Sequence, residues 1–177
     1  LTPTRAMAEE INRKHLDKLV GKIRHYKGSV KGGFDMKSLP AEIDLEVKEG
    51  SQVMMLNNDP AGRWVNGTVG RITGIDESEP RDAIIVMLQD GREEKVNPYT
   101  WKMYRVFYNR ETRGLDSESI GSFIQYPLRL AWAVTIHKSQ GKTFERVIID
   151  IGKGSFAHGQ VYVALSRCTS LEGLVLR

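Results

Sequence analysis

The stretch from Ala131 to Arg167 leaves this chain the fewest options. It opens as Ala-Trp-Ala-Val-Thr-Ile-His-Lys-Ser-Gln-Gly (131–141) and runs through Phe-Glu-Arg-Val-Ile-Ile-Asp-Ile (144–151). It closes as Gly-Gln-Val-Tyr-Val-Ala-Leu-Ser-Arg (159–167). A short apolar strand core is bracketed by small, cationic and hydroxyl residues. That pattern fits a sheet whose strand ends meet phosphates, because active groups gather at the ends of buried strands. From Phe123 onward the pattern reads strand–helix–strand–helix–strand, which predicts a parallel sheet with helices on its faces.

The chain before this stretch reads in three parts. Leu1-Thr2-Pro3-Thr4 resembles the end of a strand, with Thr4 as the N-cap of a helix. The face of that helix is expected to be Ala8, Ile11, His15, Leu16 and Leu19. Glu9–Arg13 and Glu10–Lys14 are helical pairs of favourable order. Residues 1–31 carry eight Lys/Arg against three Asp/Glu, a basic excess that suits either a solvated face or a phosphate-facing one. Gly28 to Gly33 reads as loop, and acidic residues then crowd 35–49, which places a boundary near Gly50.

Residues 50–108 read as all-β. Ser51–Leu56, Val69–Ile75, Ala83–Leu88 and Lys95–Val96 are predicted strands. Asn66-Gly67 and Asp90-Gly91 are tight-turn signals, and the set predicts a small barrel. Trp101 to Tyr108 interleaves bases with aromatics, as a barrel strand with one wet face or a base-stacking platform would. Arg110–Ser122 reads as a polar linker. The α/β character before residue 48 and after 122 predicts one domain interrupted by the barrel.

Composition excludes several classes. The single cysteine, Cys168, rules out an internal disulfide and an all-cysteine metal site, and the four histidines have no ligand spacing, so no metal site is expected. The net charge of +4 permits a polyanionic partner without requiring one. With no apolar run long enough to span a bilayer and no signal peptide, an intracellular protein without a membrane partner is expected. The chain opens on Leu1 rather than Met, and a piece of a longer protein is expected.

Two apparent nucleotide motifs are decoys. Gly141-Lys142-Thr143 mimics the end of a phosphate-binding loop, but Ile136 stands where the first glycine belongs, and the triplet ends a helix instead of opening one. Gly152-Lys153-Gly154-Ser155-Phe156-Ala157 matches a dinucleotide pattern, but without a second strand carrying an acidic residue it is a weak signal. Sharper is the predicted helix at Gln160–Thr169. Val161, Ala164, Leu165 and Cys168 would pack on one face, while Gln160 and Arg167 share another. Arg167 could stabilise charge on a transferred phosphoryl group, or it could simply meet the helix dipole. Thr135, His137, Lys138 and Ser139, with Gln140 and Gly141, gather donors suited to phosphodiester oxygens.

Taken together, Thr-Ile-His-Lys-Ser-Gln-Gly (135–141) and Val-Tyr-Val-Ala-Leu-Ser-Arg (161–167) resemble motifs V and VI of superfamily 1B helicases, the RecD/Dda-like branch. Leu1 to Asn12 looks like motif IV. Gly50 to Asp59, followed by Val65 to Gly70, looks like the SH3-like 2B insertion of that group. The resemblance implies an α/β fold. A RecA-like domain 2A (P-loop NTPase fold, 1–48 and 119–177) would be interrupted by an SH3-like 2B β-barrel (49–118). It implies Arg167 as the arginine finger, with Gln140, Gly141, Lys142 and Gln160 near ATP. Thr4, Thr135, His137, Lys138 and Ser139 would hold single-stranded DNA, with 5′-to-3′ translocation. UvrD-like relatives carry Glu where Thr143 stands, which favours the RecD/Dda-like branch. Neither Walker motif is present, so ATP and Mg2+ would be bound mainly by an N-terminal RecA-like domain of the same polypeptide. The alternative is a non-catalytic nucleic-acid-binding module read by the barrel; a dinucleotide-binding enzyme is the third reading.

Overall fold

The computed structural model describes residues 1–77, 81–152 and 159–177. In chain order it contains helix α1 (Arg5–Lys18), then strands β1 (Arg24–Lys27), β2 (Ser29–Gly32), β3 (Asp44–Val47), β4 (Gln52–Met55), β5 (Val69–Asp76), β6 (Ala83–Leu88) and β7 (Glu93–Val96). There follow β8 (Tyr99–Asn109), β9 (Gly114–Gln125), β10 (Leu128–Leu130), β11 (Val147–Ile149), α2 (Gln160–Leu165) and β12 (Leu174–Leu176), with single 3-10 turns at Met36–Ser38 and His137–Ser139. The class is α/β, with several separate sheets.

The largest sheet is antiparallel, in the order β10-β4-β5-β6-β7, with a bulge between Ile72 and Gly74. Its β-branched and aliphatic alternation drives one face inward. Leu45, Val47, Val53, Met55, Trp64, Ile72, Ile84, Val86, Leu88, Val96, Tyr126 and Leu128 form one buried cluster. Each large aliphatic side chain there contributes about 1.5–3 kcal/mol relative to exposure. The sheet is open: β10 and β7 are its edges and do not pair with each other, so the strand ladder closes no barrel among the described residues. Leu45 and Val47 on one side of the chain, and Tyr126 and Leu128 on the other, lie in this core. The division of the cores therefore does not follow the boundaries expected at 48/49 and 118/119.

A second sheet corrects three expectations. The glycine-rich 28–33 segment is not a loop: β2 pairs with β9 over Ser29–Ile124 to Gly32–Gly121. Arg110–Ser122 is not a linker, because most of it is β9, which pairs with β8 from Tyr99–Gln125 to Asn109–Gly114. Trp101 to Tyr108 consequently lies in this ribbon and outside the five-stranded sheet. The ribbon was hidden because its cross-strand bonds, such as exposed Arg105–Glu118 and half-buried Asn109–Asp116, are polar.

The α/β side is built on short parallel segments. β11 pairs with β12, and Thr2 bridges Thr135, both parallel. Between them, Leu1 N donates to Ile148 O and Asp150 N donates to Leu1 O at 2.9 Å, so the start of the chain lies beside β11. Ile136, Val147, Ile149 and Ala164 are its buried cluster. Met54, on the reverse face of β4, packs with Ala131 and Val134 and joins the two sides.

Thr4 caps α1 as expected, its hydroxyl accepting from Met7 N at 3.3 Å. The buried face is Ala8, Asn12 and Leu16, whereas His15 is exposed and Ile11 and Leu19 are half-buried. Glu10 pairs with Lys14 as expected. Glu9 instead takes Arg5, and Arg13 takes Asp17 and Glu46, which lie in better reach.

Candidate nucleic-acid and nucleotide site

The bridge between Thr2 and Thr135 starts the site. Thr2 N donates to Val134 O at 3.0 Å and Ile136 N to Thr2 O at 2.9 Å. Two parallel segments therefore end side by side, and Thr4 emerges from one as Thr135, His137 and Lys138 emerge from the other. Asn12 locks this arrangement from α1: its amide donates to Ala133 O at 2.9 Å and its carbonyl accepts from Ala133 N at 2.8 Å. Sequence reasoning passed over Asn12 because it is polar, yet it lies four residues from both Ala8 and Leu16, on the buried stripe.

The expected helix before Gly141 is one 3-10 turn, His137–Ser139. Thr135 Oγ1 accepts from Lys138 N at 3.2 Å. Ser139 is fully buried, and its hydroxyl donates to Ile136 O at 2.7 Å, so it shapes the turn from within. His137, Lys138 and Gln140 are exposed. Gly141 has φ +72°, a conformation suited to glycine, and faces open space.

Lys138 opens onto a groove of about 600 Å³ lined in part by Arg5, Asn12, Glu42, Arg129 and Thr135. Burial of its stem, then the neighbouring cations Arg129 and Arg5, push its ammonium below the ordinary lysine range, with Glu42 opposing. Arg129 Nε is enclosed and has no hydrogen-bond partner among the described residues. Arg5 and Arg129 were missed in the sequence because each sits in a regular element; their positions at the end of the capped helix and in β10 were the available signal.

The nucleotide-side candidates divide. Phe144 bridges Cys168 in parallel, Phe144 N donating to Arg167 O at 2.8 Å, which brings the 140–143 turn against Arg167. Arg167 lies beyond the end of α2 and is half-buried. Its guanidinium donates to three neutral oxygens: Val163 O at 3.1 Å, Lys142 O at 3.3 Å and Ser166 Oγ at 3.0 Å. No carboxylate pairs with it among the described residues, so its charge is uncompensated. The bond to Val163 O also caps the helix, so both roles expected for Arg167 rest on the same side chain.

Lys142 points away from Arg167. Its ammonium donates to Asn66 Oδ1 at 3.3 Å, and burial pushes it below the ordinary lysine range. Gln160 opens α2, but that helix stops at Leu165, so the face it was expected to share with Arg167 is not continuous. Of the packed face expected for this helix, only Ala164 is buried; Val161 and Leu165 are exposed. Gly141-Lys142-Thr143 follows the 3-10 turn and opens no helix, in keeping with its rejection as a phosphate loop. The dinucleotide-like pattern at 152–157 lies, after Gly152, outside the described residues. Among those residues no group of three metal-ligating side chains occurs, and no helix is long and apolar enough to cross a membrane.

Residues 130–175 match the family model of the UvrD-like helicase C-terminal domain. The ATP-dependent DNA helicase Pif1 of Bdellovibrio bacteriovorus is 39% identical over 140 residues, which cover 79% of this chain and 29% of that protein. Unliganded Pif1 from Bacteroides sp superposes with a TM-score of 0.88 at 38% identity, over 99% of this chain and 39% of the other. The Bacteroides Pif1 helicase in complex with ADP-AlF3 and ssDNA gives 0.78 at the same identity, again over 99% and 39%. The chain thus spans well under half the length of the proteins it matches. By sequence and by fold it belongs to the Pif1-type helicases of superfamily 1B and corresponds to their C-terminal region.

Proposed function

We propose that this chain is the second motor part of an ATP-dependent DNA helicase, supplying the arginine finger and part of the single-stranded DNA track. The parallel segments with α1 and α2 are the RecA-like domain 2A, proposed within 1–48 and 119–177 apart from the stretches that the β-rich core takes. The β-rich part within 49–118 is the SH3-like 2B insertion, to which the shared core adds 44–47 and 126–128. One observation carries the reading: a single turn, 135–143, presents Lys138 and Thr135 to a groove of mixed charge that also holds Arg129, and its Lys142 carbonyl to Arg167, which no carboxylate pairs among the described residues.

Arg167 is assigned to the γ-phosphate, where a guanidinium stabilises charge spread over the transferred oxygens. Gln140 and Gly141 lie on the same side, the glycine leaving room for close approach. Gln160 and Lys142 are secondary candidates, Lys142 through its backbone. On the other side Thr4, Thr135, His137 and Lys138 contact the DNA backbone, with Arg129 adding to the positive field and Ser139 holding the turn from inside. ATP and Mg2+ are assigned mainly to an N-terminal RecA-like domain of the same polypeptide, since the chain has no Walker lysine or magnesium-binding carboxylate. Exposed Val161, Tyr162 and Leu165 on α2 give that domain an apolar surface to meet. ADP-AlF3 and ssDNA in the Bacteroides complex support both ligand assignments. An intracellular, nucleic-acid-associated setting follows from the same reading.

In the complete helicase, Arg167→Ala is expected to lower ATPase kcat by roughly a thousandfold with single-strand affinity nearly unchanged. Unchanged turnover removes Arg167 from this role. A rival reading, a binding module without catalysis, draws on the ribbon, where Tyr104, Val106 and Tyr108 share an exposed face with Leu115. That rival predicts DNA binding lost with residues 99–125 and untouched by Lys138→Ala.

A further inference from the structure

Lys142 is bonded at three points to three different parts of the molecule. Its N–H donates to Ser139 O at 3.0 Å, inside the turn that carries the proposed DNA contacts. Its carbonyl accepts from Arg167 Nη1 at 3.3 Å. Its ammonium reaches Asn66, seventy-six positions away in sequence, in the connection between β4 and β5.

The Asn66-Gly67 end of this bridge is rigid. Asn66 N donates to Asn58 Oδ1 at 2.8 Å, Gly67 N to Met55 O at 2.9 Å, and Val65 N to Thr68 Oγ1 at 3.2 Å. Behind it, Trp64 donates to Asn57 at 3.1 Å, and the Arg63 guanidinium sits 4.4 Å from the Trp64 ring centroid while pairing with Asp59. Gly67 has φ +98°, and a Cβ there would fall 2.3 Å from Lys142 Nζ and 2.8 Å from its Cδ. The lysine stem therefore lies directly across a glycine whose missing side chain makes room for it.

We propose that Lys142 is a positioning residue that couples the Asn66-Gly67 turn of the β-rich part to the Arg167 guanidinium. The inference rests on the ATPase reading of Arg167. When the turn and the α/β side hold this arrangement, the tethered lysine fixes its own carbonyl, and the carbonyl fixes one arm of the guanidinium. Loss of the tether frees the 140–143 turn to shift and takes the orientation of Arg167 with it. The effect belongs to turnover and not to nucleotide affinity, since Lys142 meets Arg167 only through the backbone.

The test is a double-mutant cycle in the complete helicase, read as single-strand-stimulated ATP turnover. Asn66→Ala and Lys142→Met are each expected to lower kcat by about tenfold, with KM for ATP moving less than about twofold. The double variant is expected to be no slower than the slower single variant, because both remove one contact. Asn66→Asp, which keeps an acceptor for the ammonium, is expected to stay within about twofold of wild type. Asn66 is exposed, so an unchanged melting temperature separates lost coupling from lost folding. Losses that multiply in the double variant, or single variants with wild-type turnover while Arg167→Ala stops the reaction, overturn the coupling. If Arg167→Ala itself leaves turnover intact, the ATPase reading fails and the coupling falls with it.

Discussion

The two sides of this molecule bury their apolar residues very differently. The β-rich side encloses twelve residues in one cluster, drawn from strands β3 to β7 and β10, from Tyr126 and from the Trp64 loop. The α/β side encloses a cluster of four, Val147 and Ile149 on a three-residue strand with Ile136 and Ala164 beside it, and leaves Ile148, Val175 and Leu176 more than half exposed. Yet the candidate chemistry is on the thinner side. There the turn residues are held by backbone and buried polar bonds, with Asn12 and Ser139 doing what bulk packing does elsewhere. A site whose side chains must stay exposed to a ligand gains precision from hydrogen bonds at its base.

The sharpest way to break this contrast is to damage each side in turn. Leu45→Ala in the β-rich core is expected to cost about 3 kcal/mol, read from chemical denaturation. A loss of under about 1 kcal/mol would show that this core is not the main source of stability. Next in size is Asn12→Ala, which strands the Ala133 N–H and carbonyl in a buried place and is expected to cost about 2 kcal/mol. It should also weaken single-strand binding, because it loosens the strand end that carries Thr135; unaltered binding would mean that the base of the site does not matter to its rim.

A smaller effect concerns pH. Asp59 is held at about 2, first by its hydrogen bond to Arg63 and then by backbone N–H groups. Its folded value lies below the unfolded one of about 3.9, so its contribution is full above pH ~4 and is lost as pH falls toward 2. Asp59→Asn is expected to flatten that acid limb of the stability curve. An unchanged slope between pH 4 and 2 would assign the acid response to other carboxylates.

Much of the site was legible in the sequence, and less of the fold. The Thr4 cap, the Asn66-Gly67 and Asp90-Gly91 turns, and the 135–141 segment are local signals, so they survive without knowledge of partners. Polar strands are not local. β2 reads Ser-Val-Lys-Gly and β9 opens Gly-Leu-Asp-Ser-Glu-Ser; both owe their extended form to long-range pairing rather than to propensity. The shortness of α2 was hidden for a related reason. Its apolar spacing runs on to Cys168, but the bonds of Arg167 and Thr169 to the Phe144 backbone pull the chain into a parallel bridge first. Lys142 was placed near the nucleotide by its position in the motif, and nothing in that motif points to Asn66.

The 135–143 turn is proposed to serve two ligands through different residues. The direct measurement is ATP turnover and salt-dependent single-strand binding on Arg167→Ala and Lys138→Ala in the complete helicase. A crossed result is expected. Arg167→Ala loses turnover by roughly a thousandfold and keeps its DNA affinity, while Lys138→Ala weakens binding and reduces the salt slope by about 0.7. Wild-type turnover in Arg167→Ala, or an unchanged salt slope in Lys138→Ala, would contradict it.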